Sequence, residues 1–570
     1  MSAVTRRRHV TPPVTGRPGR DRKATRYEAP PGYPDTGHLR QRPRVAVVGG
    51  GIAGLAAAAA LSERGVEVRL LEREPQLGGR VAGWTTTLAD GSVAGMNRGF
   101  HAFFRQYYNL RGLLRRADPA LARLRPVEDY PLLHREGFRD SFARLPRTPP
   151  WNALAFVAHS PSFTFGDLAR LGTRAAIPLG QVRVPRTYGQ LDDLDADAFL
   201  AQIRFPRRAR HLAFEVFSRS FFAEPTQLSA AELATMFHIY FLGSSEGLVF
   251  DVADDCFSRA LWDPLAAHLR RCGASVRTGT SVERVERGGT RRWAVVHRTG
   301  TEPPERTEVD GVVLALDVRG LRAVVDSSPD LGDDDWRRRV GRLRTAPPFL
   351  VSRFWLDRPV HPARAPFLCT SGFGCLDNIS VLERYERTAR DWSRRTGGSV
   401  VELHSYALRG EPDVERLRQG VLGELRRVYP ETGAAGVVDE RHEIRDDCPL
   451  FPPGGFTDRP PVRTPDPFVT VAGDLTRVDL PVALMERAAT SGFMAANVLL
   501  GEWGVHGHDL WSVPQGGRWP LLDRLEYVRP APRRHRTAAP ARAEVARDAA
   551  VPVREVPAGQ PGQRPVERSS

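Results

Sequence analysis

Arg44–Arg80 reads RVAVVGGGIAGLAAAAALSERGVEVRLLEREPQLGGR, and the order of its parts decides the fold. Val45 to Val48 is a short apolar run rich in β-branched residues and bounded by glycine, which predicts a buried parallel strand feeding a tight turn. Gly49, Gly51 and Gly54 then form G-x-G-x-x-G. The first glycine permits the turn, the second lets backbone approach a pyrophosphate, and the third lets the following helix pack close to the sheet. That helix, from Ile52 to about Arg64, is almost all Ala and Leu. Its N-terminal N–H groups, Ala53 among them, would face phosphate, where the helix dipole favours negative charge. Gly65 stops it, Val66 to Leu71 reads as a second strand, and Glu72 stands where a carboxylate accepts hydrogen bonds from both hydroxyls of an adenosine ribose, with Arg73 beside it. The stretch predicts a site for an ADP-containing cofactor.

The continuation separates the cofactors. A second glycine pair ending in arginine, Leu77-Gly78-Gly79-Arg80, is similar to the segment of two-dinucleotide-binding flavoproteins that passes beside the diphosphate, so it favours FAD over a nicotinamide. A distant segment agrees. Phe468 to Gly473 reads as a strand ending in glycine, Asp474 follows, and Val482 to Leu500 reads as a helix with Met485 near its start. In flavoproteins of this pattern the acid after the glycine binds the ribityl chain, and the start of the final helix points at the flavin pyrimidine oxygen. Alone, Asp474 reads as an ordinary turn acid. An S-adenosylmethionine methyltransferase would account for the glycine-rich loop, but not for Arg80 or the Gly473-Asp474 pair.

Composition sets the outer bounds. At 570 residues with 41% hydrophobic content, the chain is long enough for two interleaved parts. The net charge of +15 resembles a nucleic-acid footprint until it is located: residues 1–44 carry net +8, residues 529–570 carry net +5, and about +2 remains between them. The expected fold is therefore near neutral, with no nucleic-acid surface, between basic tails (1–43, and most of 511–570) too poor in apolar periodicity to fold. Arg6-Arg7-Arg8 lacks the apolar stretch of a secretory or twin-arginine signal. The cysteines Cys256, Cys272, Cys369, Cys375 and Cys448 are odd in number and scattered, which predicts no disulfide framework, no metal site and a reducing cytoplasm. No apolar run is long enough to span a bilayer. Trp151 to Leu179, poor in charge and rich in aromatic and small residues, reads either as an interfacial membrane element or as core of the second part.

Between the flavin motifs, Asp263 to Arg271 reads as a helix, and Ala274 to Arg277, Val282 to Arg287, Arg292 to Arg298 and Gly311 to Leu316 read as strands. The expected organisation is α/β (α+β): a Rossmann-like FAD part built from about 44–119, 250–329 and 441–510, interleaved with a mixed α/β substrate part from about 120–249 and 330–440. Phe214, Phe217 and Phe221 recur at helical spacing, with Phe222, Phe237, Tyr240 and Phe241 following. Such a stripe is usually core, and the tunnel of an apolar substrate would need the same apolar, aromatic residues. Asp251, Asp254 and Asp255 lack the Cys or His company of a metal site, and capping or solvation accounts for them.

Three blocks carry a family resemblance: Arg44–Arg80, GMNRGFHAFFRQYYNLRGLL from Gly95, and AGDLTRVDLPVALMERAATSG from Ala472. Together they resemble the FAD-dependent carotenoid desaturases of the amine-oxidase and phytoene-desaturase superfamily. More narrowly, the block from Asn97 to Leu110 and SRSFFAEPTQLSAAELATMFHIYF from Ser218 resemble the bacterial carotenoid φ-ring (isorenieratene) synthases, also called β-carotene desaturase/methyltransferases. The resemblance implies an enzyme that turns a carotenoid β-ring into a trimethylphenyl ring by desaturation with a 1,2-methyl shift. Loss of hydride leaves a cation beside a quaternary carbon, methyl migration relieves it, and proton loss with further oxidation completes the aromatic ring. FAD is the implied hydride acceptor, an external acceptor such as a quinone or oxygen would reoxidise it, and the implied location is the inner face of the cell membrane. The backbone at Val282 would meet the adenine. The segment Arg98-Gly99-Phe100-His101 would run beside the isoalloxazine, making His101 a candidate proton acceptor and Arg98 its electrostatic partner. A histidine among phenylalanines is also a common hydrogen-bonded structural residue. Three other functions share these motifs: a flavin amine oxidase, a redox-neutral carotenoid isomerase or cyclase, and a flavin-binding assembly subunit without turnover.

Overall fold

Val45, Ala46 and Val47 are fully buried, and the strand Arg44–Val48 that holds them is central to a five-stranded parallel sheet. The order across that sheet is Ser275–Arg277, Glu67–Leu71, Arg44–Val48, Gly311–Leu314 and Val469–Val471. Segments hundreds of residues apart thus meet in one sheet, because a parallel strand needs a crossover, not a hairpin, to reach its neighbour. The structure is a computed structural model that describes residues 18–518 apart from 165, 167–169, 171, 173–175 and 211–220. Phe214, Phe217 and the outer parts of both basic tails lie outside the described residues.

The helix Ile52–Glu63 is buried on every side as far as Ser62, which is why its sequence shows no polar stripe. The sheet covers one side and the helix Leu484–Glu502 the other. A Cβ on Gly492 would lie 2.2 Å from the Ala53 carbonyl oxygen, so the small residues of both helices set how closely they approach. Residues 280–309 form a three-stranded antiparallel sheet that includes Glu305–Val309, a strand absent from the sequence reading.

The second part begins with short helices, among them Trp151–His159, Arg186–Leu191, Ala196–Gln202 and Ala230–Phe237. It then builds a seven-stranded sheet in the order Val437–Arg445, Phe349–Leu356, Ser399–Ser405, Asn378–Val381, Phe367–Ser371, Leu132–His134 and Arg139–Asp140. The strand Val437–Arg445 crosses the expected boundary near residue 440 and pairs along its length with Phe349–Leu356, so the second part extends to Arg445. The described residues all fall in one compact unit and not in two separable bodies.

The expectation of disordered tails fails at both inner ends. Thr25–Tyr27 pairs antiparallel with Leu510–Ser512, and Arg518 meets the buried Asp21 at 2.7 Å. The Asp21 carboxylate also accepts the Ser245 backbone N–H at 3.0 Å. Each inner end is thus the other's partner. Such pairing leaves no local periodicity to read.

Candidate functional site

The glycines of the first loop divide their work as their surroundings dictate. Gly49 has φ +103°, and a Cβ there would sit 2.3 Å from the Ala315 carbonyl oxygen. A Cβ on Gly54 would lie 1.9 Å from the Gly49 carbonyl oxygen, so this residue closes the helix onto the loop. Gly51 differs, because its nearest neighbour would be the Gly79 Cα at 3.9 Å, and the space before it is cavity. Gly78 and Gly79 are left-handed, at φ +108° and +57°, and the Trp262 indole N–H donates to the Val81 carbonyl at 2.6 Å to fix that second loop.

A continuous cavity of about 910 Å³ starts at these loops and ends in an aromatic chamber of the second part. Its wall contains Gly49, Gly51, Ala53, Glu72, Arg73, Gly79, Arg80, Arg98, His101, Val282, Gly473, Asp474 and Met485. Of the expected site residues only Gly54 stands behind the wall, in the packing role just given.

At the nucleotide end, the Gly50 N–H donates to Glu72 Oε2 at 2.5 Å and the Glu74 N–H donates to Oε1 at 2.8 Å. Each carboxylate oxygen keeps a lone pair for a ribose hydroxyl. Burial pushes the Glu72 carboxyl up, against the pull of those two N–H donors. Arg73 lies at the outer rim beside Glu74, 3.3 Å away and largely exposed. Val282 sits at a bulge in its strand, where the pairing register shifts.

In the middle of the cavity Arg80 is ion-paired with Asp474, joining two residues 394 positions apart. Burial opposes a charge on Arg80, but the Asp474 carboxylate holds it firmly protonated. Arg98 donates to Asp447 Oδ2 at 2.8 Å, while Arg98 Nε and Asp447 Oδ1 are buried without a hydrogen-bond partner. The open glycine cradle, the ribose-ready carboxylate and this pair fit a long dinucleotide with a polar ring system, as FAD is.

Beyond this point the wall turns aromatic. Phe100 stacks on Phe367 at 4.0 Å between centroids and meets Phe250 edge-on at 5.5 Å. Tyr107 and Tyr240 hydrogen-bond through their hydroxyls, satisfying two polar groups that a hydrocarbon could not. Tyr240 belongs to a wide turn, His238–Leu242, that prolongs the helix Ala230–Phe237. Tyr240, Phe222 and Met236 line the cavity, whereas Phe221 packs in the core. The His101 Nδ1–H donates to the Gly99 carbonyl at 3.0 Å, which leaves Nε2 with its lone pair, and burial holds the ring down at about 4. The imidazole is neutral at pH 7.

Sequence reading passes over Asp447, Asn378 and Tyr406, all on this wall. One signal for Tyr406 exists. Glu402, His404 and Tyr406 alternate along one strand and its first residue beyond, a spacing that puts all three on one face. Among the described residues no group of His, Cys, Asp or Glu could hold a metal, and no helix is long and apolar enough to cross a membrane.

Known proteins agree with the geometry. The model of the flavin containing amine oxidoreductases matches residues 52–500. A carotenoid phi-ring synthase from Streptomyces griseus is 59% identical over 511 residues, covering 89% of this chain and 97% of the relative. A carotenoid phi-ring synthase from Chlorobaculum tepidum is 27% identical, covering 83% and 91%, and a zeta-carotene desaturase from Synechocystis is 26% identical, covering 80% and 97%. Among solved structures, putrescine oxidase bound to putrescine superposes with a TM-score of 0.58 at 15% identity, over 81% of this chain and 99% of that one. At that identity the likeness concerns the fold. The match along most of the chain and the dinucleotide-shaped cavity lead to one conclusion: the chain belongs to the flavin containing amine oxidoreductases, FAD-dependent oxidoreductases, and within them to the group of the carotenoid phi-ring synthases.

Proposed function

We propose that this protein converts the β-rings of β-carotene or a related carotenoid into aromatic φ-rings by desaturation with 1,2-methyl migration. The observation that carries the proposal is the single cavity that joins the dinucleotide cradle to a chamber walled by Phe100, Phe250 and Phe367, in a chain so similar to a carotenoid phi-ring synthase. An end ring of a polyene is apolar, and a wall of aromatic faces removes it from water at no polar cost. Bound FAD supplies the two-electron acceptor for desaturation, held by Gly51, Glu72, Arg80, Val282, Asp474 and Met485.

The remaining chemistry falls to side chains. Removal of hydride from the ring leaves a carbocation, and the faces of Phe100, Phe250 and Phe367 stabilise and shield it from water while the methyl migrates. His101 presents a neutral imidazole with Nε2 as lone-pair acceptor for a departing proton. Arg98 and Asp447 neutralise each other on the cavity wall, beside the polar edge of the cofactor. An external acceptor, a membrane quinone or oxygen, then reoxidises the protein. Location at the inner face of the cell membrane suits a carotenoid substrate, and the helix Trp151–His159 supports it by turning Trp151 (63% exposed) and Leu154 (51% exposed) to solvent while burying Phe156.

The test is anaerobic. Addition of β-carotene in lipid vesicles to the purified flavoprotein bleaches its visible flavin absorption, and simple amines leave it unchanged. Bleaching by amines with none by carotenoid would replace the proposal with an amine oxidase.

A further inference from the structure

Behind the aromatic chamber a line of buried polar groups runs from the cavity wall into the seven-stranded sheet. The Asn378 side-chain N–H donates to the Tyr406 hydroxyl at 3.0 Å, and that hydroxyl meets His404 Nδ1 at 2.5 Å. On the other edge of the ring, His404 Nε2 meets Glu402 Oε1 at 2.9 Å. Glu402 Oε2 in turn accepts from Arg353 Nε at 3.0 Å and Nη2 at 2.7 Å. Arg353, Glu402 and His404 are each about 1% exposed, and Tyr406 and Asn378 stand on the cavity wall.

The directions of these bonds follow from the ends inward. Asn378 donates to the Tyr406 oxygen through its amide nitrogen, and with the His404 ring proton drawn to Nε2 by Glu402, the phenol O–H donates to the bare Nδ1. A carboxylate can only accept, so His404 Nε2 carries the ring proton; the Phe100 backbone N–H, 3.4 Å from the same nitrogen, is the weaker contact and yields to the charged acceptor at 2.9 Å. Burial works against a charge on Glu402, yet the Arg353 guanidinium holds its carboxyl down at about 2. The line is therefore a hydroxyl, an imidazole and a carboxylate in series, each oriented by the next, the arrangement by which a weak oxygen base is strengthened. Among the described residues, Glu386, also on Arg353, and Asp377, whose carboxylate accepts the Tyr406 backbone N–H at 2.6 Å, are acids packed around it.

We propose that Tyr406 takes a proton from the oxidised ring, with His404 and Glu402 as the positioning residues that relay it, an inference that rests on the ring-aromatising reaction above. Aromatising a β-ring removes more than one proton, and His101 and Tyr406 give the chamber two acceptors. In the step, a ring C–H bond adjacent to the cationic carbon breaks and its electron pair becomes the new C=C bond. The proton passes to Tyr406 Oη as the phenol's own proton moves to His404 Nδ1, and the resulting imidazolium rests against the Glu402 carboxylate. A C–H bond beside a carbocation is strongly acidic, so a phenol oxygen with a base behind it suffices.

The experiment uses the full-length flavoprotein. Tyr406→Phe keeps the ring and removes the hydroxyl, so flavin content stays at the wild-type value and the melting temperature drops by only a few degrees, while β-carotene conversion falls about a hundredfold. With ¹⁵N-labelled histidine and His404→Gln for assignment, the wild-type His404 signal shows a protonated Nε2 and a bare Nδ1, and Tyr406→Phe shifts the Nδ1 resonance. Undiminished conversion by Tyr406→Phe, or a His404 protonated at Nδ1, overturns the relay. If wild-type protein leaves β-carotene unchanged, the ring reaction itself falls and the proton-transfer step with it, while the tautomer still reports whether the hydrogen-bond series is built in this direction.

Discussion

Individual residues in this cavity act through hydrogen-bond direction and burial more than through reactivity. Glu72 is the clearest case, since its backbone donors fix the carboxylate but leave lone pairs for a ribose diol. Replacing Glu72 by Ala should weaken FAD binding by about tenfold to a hundredfold, the range for losing hydrogen bonds to a charged group. Flavin titration of the apoprotein measures it, and unchanged affinity would remove the ribose assignment. Glu486 gives a pH dependence. Burial lifts its carboxyl to about 8, although the Leu110 and Asn109 N–H groups pull it down. A group whose folded pKa is raised holds protons that the unfolded chain has released, so its contribution is full below about 4.5 and lost as pH rises through 8. His268, raised to about 9 by its bonds to Cys272 and Glu63, has the same sign between 6.5 and 9. The melting temperature should therefore fall between pH 6.5 and 9, and Glu486→Gln should reduce that fall. A melting temperature that rises over this interval would contradict the assignment.

At the scale of elements, the loop from Gly49 to Gly54 separates folding from binding within a single turn of chain. Gly54→Ala drives a Cβ into the Gly49 carbonyl, so the apoprotein should lose stability, by several degrees in melting temperature. Gly51→Ala meets nothing closer than 3.9 Å, so the apoprotein should melt near wild type while FAD affinity drops. Thermal melts with and without FAD check both, and equal apoprotein losses would show that Gly51 also packs. The strand, loop, helix and acid of this element were legible because each is local and has its own composition. The chamber was not. Phe100 comes from a loop and Phe250 and Phe367 from two strands, each more than a hundred residues from the next, so nothing in their spacing marks them. The alternation of Glu402, His404 and Tyr406 was visible as a pattern, but a face gains meaning only when the sheet shows what it looks onto.

The two largest sheets of the described residues, one parallel and nucleotide-binding and one mixed, share a cavity, and the two ends of the described chain are tied together. The basic composition of the termini hid the pairing of Thr25–Tyr27 with Leu510–Ser512, because average composition does not record a three-residue strand whose partner is at the far end of the sequence. By the same reading the excess charge lies in the termini, with about +2 left for the residues between them. The central claim is that the aromatic chamber makes a β-ring aromatic. Its most direct test is expression in a bacterium that already accumulates β-carotene, followed by mass and absorption spectra of the extracted pigment. The account predicts a pigment that has lost hydrogen at unchanged carbon count and carries aromatic methyl groups. Unaltered β-carotene, in cells whose purified protein holds FAD, would contradict it.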